Sequence, residues 1–258
     1  MAKLAREYPD FEFVQQVVAQ IPWTHNILIL DKEQSFDKRK WYINETLKNG
    51  WSKSILKSQL DTKLYERQVL SDKSTNFNNT LPEPQSDLAI QTIKDPYIFD
   101  FITLKGKVLE KDVENAMIEK VKDLLLELGK GFAYVGNQYK IIIDDKDYFL
   151  DLLFYHLDLK CYIVVELKAR EFLPEDAGKL NFYLSAVDKL LKKDSDNNSI
   201  GLILCKEKKK FTVECALKDI NKPIGVSEYK ILEQIPEFLN SKLPEIEDIE
   251  LHMNNIDT

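Results

Sequence analysis

Long hydrophobic runs are missing from this 258-residue sequence. No window approaches the roughly 20 apolar residues of a membrane-spanning helix. The N-terminal stretch MAKLAREYPDFEF is too charged for a secretory signal, so no membrane partner is expected. Cysteine is sparse: Cys161, Cys205 and Cys215 are an odd number, and the first two sit in apolar stretches. They read as reduced, buried thiols, which excludes a disulfide scaffold and points to a cytoplasmic protein. Three scattered histidines, His25, His156 and His252, make no ligand cluster. With no phosphate loop either, a metal phosphohydrolase for small substrates ranks last among the readings below. Positive charge is also short, with a net charge of −7. From Glu228 onward, eight acidic side chains face two basic ones, leaving −1 for residues 1–227. Local basic faces are therefore compatible with the total. The candidates are Lys189, Lys192 and Lys193, and the run from Lys206 to Lys210, each of which by itself reads as a solvated loop.

What is present centres on Tyr148 to Arg170, YFLDLLFYHLDLKCYIVVELKAR. It reads as two adjacent strands, and Asp151 interrupts the apolar run of the first. In the second, Ile163-Val164-Val165 leads into Glu166-Leu167-Lys168. Strand side chains alternate between faces, so Glu166 and Lys168 share one face and Leu167 takes the other. Buried charges are costly unless paired or bound to a metal. Two carboxylates that bind a hard divalent cation, with a lysine beside them, suit phosphodiester cleavage. An ordinary ion pair at a strand end would use the same residues.

The flanking chain supplies context. Residues 1–20 look helical but start mid-pattern, as a shortened helical region would. The stretch from Ile21 to Asn26 predicts a break, followed by a short apolar run, Ile27–Leu30. Residues 36–49 predict an amphipathic helix closed by Asn49-Gly50, and Ser52 or Ser54 a cap for a third. That helix offers Lys53, Lys57, Lys63 and Arg67 on a polar face, a weak signal of nucleic-acid contact. Residues 71–85 read as a linker, Ser86–Lys94 as a short helix, and Asp95-Pro96 as a turn. A long helix is predicted from about Lys107 to Leu128, with Val113, Met117, Val121, Leu124 and Leu128 as its stripe. Glu114 falls about 60° from Met117, inside the stripe, whereas Glu119 falls about 200° away. Glu114 could equally be a capping or snorkelling residue. Then come a strand over FAYVGNQYKIII, turns at Asp144–Asp147 and Asp158–Lys160, and a helix from Leu173 to about Lys193. SIGLILC reads as a strand covered on both faces, followed by a helix over Phe211–Ile220 and an outer strand over Gly225–Leu232.

The order helix, three strands, helix, strand, with Asp on the second strand and ExK on the third, resembles the PD-(D/E)xK nuclease superfamily. The stretches LDLLFYHLDLKCYIVVELKAREFLPEDAGKLNFYLSAVDKLL, IGLILCK and NGWSKSILKSQLDTKLYERQ resemble, more narrowly, the YhcG-like family of bacterial proteins. The resemblance runs from about Tyr8 to Tyr229 and lacks the upstream part of the family's N-terminal helical region. It implies an α/β fold: a restriction-endonuclease-like core, a mixed sheet flanked by helices, preceded by a small all-helical region. The expected division is a helical accessory domain at 1–70, linker and short helix at 71–106, nuclease domain at 107–234 and acidic tail at 235–258. The resemblance further implies Asp151 and Glu166 as metal ligands, Lys168 as catalytic lysine, and the Leu167 carbonyl as a further ligand. Glu114 would be the added helical glutamate. Leu150 replaces the family's usual proline. Where some relatives carry Gln and Tyr on the following helix, this chain has Lys179 and Tyr183, with Asn181 between. Lys179 would contact phosphate or pair with Asp176, and Gln138 is a further candidate for the site. The implied cofactor is Mg2+, with Mn2+ substituting. The implied partner is DNA, with RNA and a homodimer left open. The alternative is a non-cleaving nucleic-acid-binding or assembly subunit of a repair or defence system.

Overall fold

The computed structural model describes residues 18–102 and 109–231. The expected helix over residues 1–20 lies mostly outside the described residues, as do the start of the helix near Lys107 and the whole acidic tail.

The N-terminal region is helical. Pro22 ends a short turn, and α1 (Trp23–Lys32) begins directly after it, where the sequence predicts a break through Asn26. Proline's fixed φ and missing N–H are harmless at a helix start, so the helix has no reason to wait. Ser35 accepts from the Lys38 N–H to open α2 (Phe36–Asn49), and Gly50 closes it at φ 63. Ser52 caps α3 (Lys53–Asp61) through the Ile55 N–H. These helices share a core of Ile29, Tyr42, Ile43, Leu56 and Leu64. Arg67, predicted on a solvated basic face, is instead buried and bonded to Glu127 at 2.5 Å. Its guanidinium also meets the carbonyls of Thr62 and Pro96, so it joins the helical region to the sheet.

The strands are β1 (Ser74–Thr75), β2 (Tyr97–Phe99), β3 (Phe132–Ile143), β4 (Lys146–His156), β5 (Cys161–Glu171), β6 (Ile200–Glu207) and β7 (Ile224–Ile231). They form a mixed sheet ordered β1-β7-β6-β5-β4-β3, with β2 alongside β7. The β3–β4 and β4–β5 pairs are antiparallel; β5–β6 and β6–β7 are parallel. Packed on the sheet are α4 (Phe77–Thr80), α5 (Gln85–Thr92), α6 (Glu110–Glu119), α7 (Val121–Leu128), α8 (Pro174–Leu190) and α9 (Lys210–Leu217). One face buries Phe77, Met117, Leu124, Leu152, Val165 and Leu167. The other buries Ala177, Leu184, Val164, Ile203, Val213 and Val226. Helices on both faces explain why β6 is apolar without alternation. The architecture is thus a mixed sheet flanked by helices, preceded by a helical region. Where α8 crosses β6, a Cβ on Gly201 would lie 2.6 Å from Leu180 Cδ2, so only glycine fits that approach.

Two further elements differ from the sequence reading. The predicted linker is built into the sheet: β1 pairs antiparallel with β7, and Phe77 is fully buried. The Asn76 amide donates to the Ile220 and Lys222 carbonyls and accepts from the Ile224 N–H, so one polar side chain ties the segment to the start of β7. The predicted single helix is broken at Lys120, where φ is −114 and ψ is 36. The Lys120 carbonyl accepts from Asp123 and Leu124 to restart it as α7. Each half then buries its own part of the stripe, Val113 and Met117 or Leu124 and Leu128.

Candidate active site

The β4–β5 ladder runs from His156–Cys161 to Leu152–Val165 and stops there. The next residues along are Asp151 and Glu166. Instead of a ladder bond, the Asp151 carboxylate accepts from the Leu167 N–H at 2.9 Å. This bond holds Asp151 across the strand end at the point where β4 and β5 part.

Alternation then places Glu166 and Lys168 together, as the sequence predicts. Glu166 is 1% exposed, and Lys168 Nζ lies 3.5 Å from its Oε2. The same ammonium donates to the Leu167 carbonyl at 2.9 Å and sits 3.5 Å from Glu110 Oε2. From the second turn of α8, Lys179 donates to Glu166 Oε2 at 2.8 Å. Glu166 Oε1 is buried with no hydrogen-bond partner among the described residues. Burial, with the Asp151 charge, raises the Glu166 carboxyl above its usual range, while Lys179 and Lys168 pull the other way. For Lys179, burial is the largest single influence and acts downward, but the hydrogen bond to Glu166 and the charges of Glu166 and its neighbours together outweigh it and hold the amine above its usual range. Lys179 therefore stays charged, and Glu166 bears the desolvation cost of the pair because it is the more deeply buried partner.

The opposite wall carries Glu114, buried on α6 as its place in the apolar stripe predicts. Its carboxylate accepts from Gln138 Nε2 at 2.8 Å and Asn137 Nδ2 at 3.3 Å. Gln138 lies in the middle of the twelve-residue β3. It adopts φ 41, in the left-handed region, just past a register slip between Tyr134 and Gly136. Such strain in a non-glycine residue costs about 1–3 kcal/mol and persists where surroundings over-determine it. Here it turns the amide onto Glu114. Glu110, Glu114, Asn137, Gln138, Asp151 and Leu167 line a cleft of about 300 Å3.

The structure thus brings Asp151, Glu114, Leu167 and Gln138 to one cleft, with Glu166, Lys168 and Lys179 beside it. Among the described residues, no three His, Cys, Asp or Glu side chains are gathered as a ready-made metal cage. Glu114 shares the cleft with Asp151, its carboxylate held by the β3 amides, while Glu166 lies beside it. The residues present nonetheless fit a hard divalent cation, which can be held by one or two carboxylates while keeping several waters. Asp151 and the unpartnered Glu166 Oε1 could supply such donors.

The remaining candidates divide. Lys179 does not pair with Asp176, because both Asp176 oxygens accept from Arg170 at 2.8 Å and one also caps the Leu173 N–H. Tyr183 is buried, with its ring 5.1 Å from Lys179 Nζ. Asn181 stands about 200° round α8 from Lys179, away from the cluster. Sequence reasoning missed Glu110, Asn137 and Arg170. Glu110 lies four residues before Glu114, the spacing that puts two side chains on one helix face. Nothing local marks Asn137 or Arg170.

Comparison with known proteins bears on this geometry. Residues 90–244 match the family model described as the YhcG PDDEXK nuclease domain, and residues 1–67 match the DUF1016 N-terminal domain. The chain is 37% identical over 235 residues to the putative nuclease YhcG of Escherichia coli (strain K12). That match covers 90% of this chain and 62% of the relative, so the chain spans less than two thirds of its length. Among solved structures, a repair endonuclease from Pyrococcus abyssi aligns with a TM-score of 0.34 and 15% identity, over 51% of this chain and 50% of that one. The EndoMS-dsDNA2 complex aligns with a TM-score of 0.35 and 15% identity, over 53% and 49%.

Proposed function

The chain belongs to the YhcG-like PDDEXK nuclease family, and on that premise we propose that it is a Mg2+-dependent nuclease hydrolysing phosphodiester bonds of DNA. The observation that carries this reading is Glu166. It is a carboxylate 1% exposed, with one oxygen unpartnered, beside Asp151 and within 3.5 Å of the Lys168 ammonium. A buried oxygen without a donor costs about 1–3 kcal/mol or more, and a cation removes that cost. Asp151 and Glu166 would hold Mg2+ or Mn2+, with the Leu167 carbonyl and Glu114 as further ligands. A divalent ion there supplies Lewis acidity toward the phosphoryl oxygen and acidifies a bound water.

The chain's own groups do the rest. Lys168, fixed by the Leu167 carbonyl, Glu166 and Glu110, presents an ammonium to the charge that builds on the phosphorane, or orients the attacking water. Gln138 and Asn137 hold Glu114 toward the cleft. Lys179 balances Glu166 and, being half-exposed, can turn to a phosphate. Residues 107–234 would form the nuclease domain and residues 1–70 a helical accessory domain.

Plasmid nicking in Mg2+ tests the reading, with wild type beside Lys168→Ala and Asp151→Asn, each checked for folding by circular dichroism. Nicking by wild type, lost in EDTA and in both folded variants, is the expected result. Equal outcomes for wild type and variants would leave a non-cleaving nucleic-acid-binding subunit.

A further inference from the structure

A second opening, larger than the catalytic cleft, lies toward the other end of the sheet. It encloses about 1120 Å3, with Trp41, Lys48 and Trp51 on the helical wall and Lys122, Lys130 and His156 on the other. His156 pairs with Cys161, and five residues of β5 separate Cys161 from Glu166. At about 3.3 Å per residue that is roughly 17 Å, so the two openings are distinct. Its volume exceeds the roughly 300–1,000 Å3 of small-molecule sites, which favours a longer ligand.

The lining is basic in a chain that carries −7 overall. Five lysines (Lys48, Lys73, Lys94, Lys122 and Lys130) line it with three carboxylates, Glu45, Asp72 and Asp158. Lys94 is paired with the buried Glu127 and Lys48 lies 4.0 Å from Glu45, so Lys73, Lys122 and Lys130 are the lysines without an ion pair among the described residues. Two of those carboxylates are engaged: Asp72 pairs with Lys210, and Glu45 accepts from the Asn49 amide at 3.0 Å. Lys73 is half-buried, and its ammonium donates to the Ile90 carbonyl. It has no ion-pair partner among the described residues. Burial, against the pull of Asp95, brings its pKa down to about 8. His156 is 1% exposed: its Nδ1 accepts from the Leu159 N–H, the Lys130 backbone hydrogen-bonds its ring, and burial holds its pKa below the usual range, so it forms the floor of the cleft. A half-buried ammonium without an ion pair among the described residues, in a cleft that also presents the exposed Lys122 and Lys130, calls for an anionic ligand.

We propose that this cleft is a groove for single-stranded nucleic acid, with phosphates on Lys73, Lys122 and Lys130 and bases against Trp41 and Trp51. Grooves for single strands combine a basic track with aromatic stacking platforms. A duplex keeps its bases stacked inside and cannot use the indoles. The inference rests on the nuclease reading above and deepens it, because it makes a single-stranded segment part of the substrate.

The test is binding of fluorescent oligo-dT and of a duplex of equal length, followed by anisotropy in EDTA so that cleavage is silent. Lys122 and Lys130 are exposed, so the double variant Lys122→Glu, Lys130→Glu leaves the core untouched. Wild type is expected to prefer oligo-dT, and the double variant to bind it roughly tenfold more weakly, with a salt slope shallower by about 1.4 for two lost contacts. Equal affinity for both nucleic acids, or unchanged binding by the variant, overturns the proposal. Full competition by a mononucleotide also overturns it, in favour of a nucleotide site. Oligo-dT preference without plasmid nicking would sink the nuclease reading and keep the groove. Nicking without strand preference would do the reverse.

Discussion

Replacing Lys179 by methionine removes the positive charge facing Glu166 and nearly keeps the shape of the side chain. The pair is 2.8 Å long, with Glu166 1% exposed and Lys179 44% exposed at the side chain. Breaking a fully buried pair costs about 3–5 kcal/mol, and an exposed pair is worth about 0–1. With one partner on each side of that divide, and Lys168 at 3.5 Å as a second cation, the expected loss is about 2 kcal/mol near neutral pH. For a chain of this size that lowers Tm by about 4–8 °C. The sign with pH follows from Glu166, whose carboxyl already lies above its usual range through burial. Without Lys179 its folded-state pKa climbs further above the unfolded value. A carboxyl raised in the fold destabilises the fold when ionised, so the loss is fullest above the folded pKa and fades as pH falls through it. Urea unfolding of wild type and Lys179→Met in EDTA, at about pH 8 and about pH 5, measures this. An equal loss at both pH values, or none at the higher one, would refute the assignment of Lys179 as counter-ion to Glu166.

Three further outcomes follow from the same coordinates. Mn2+ or Mg2+ should raise the Tm of wild type and leave Asp151→Asn unmoved; at a hundredfold excess over Kd the linkage is about 2.7 kcal/mol, read by differential scanning calorimetry. Arg67→Ala should cost about 3 kcal/mol in urea unfolding, the low end for breaking a buried pair, because Glu127 stays buried and charged but keeps Lys94 at 3.8 Å as a second cation. Gly201→Ala should cost about 1–3 kcal/mol, since its Cβ would meet Leu180 Cγ at 2.8 Å, near the backbone end of that side chain. A thermal melt within error of wild type would refute the close approach of α8.

The three sequence-distant contacts that shape the site were out of reach of any local pattern. Lys179 meets Glu166 because α8 crosses β5, thirteen residues away in the chain. Gln138 reaches Glu114 because β3 slips register at Gly136, a residue that hints at a bulge, and then enters the left-handed region at Gln138 itself, which its residue type does not signal. The polar stretch at 71–85 joins the sheet because β7 has an edge to fill and Asn76 satisfies backbone groups there. What the sequence determined by itself is the part governed by period and by single residues. Alternation put Glu166 and Lys168 on one face, where they stand 3.5 Å apart. The helical stripe turned Glu114 inward, and Ser52 and Gly50 marked where helices begin and end. Asp144 and Asp145, both at positive φ, made the β3–β4 hairpin turn. Periodicity acts over a few residues and is written in order along the chain. Ion pairs across elements depend on how packed layers meet, and only the folded sheet with its two faces covered decides that.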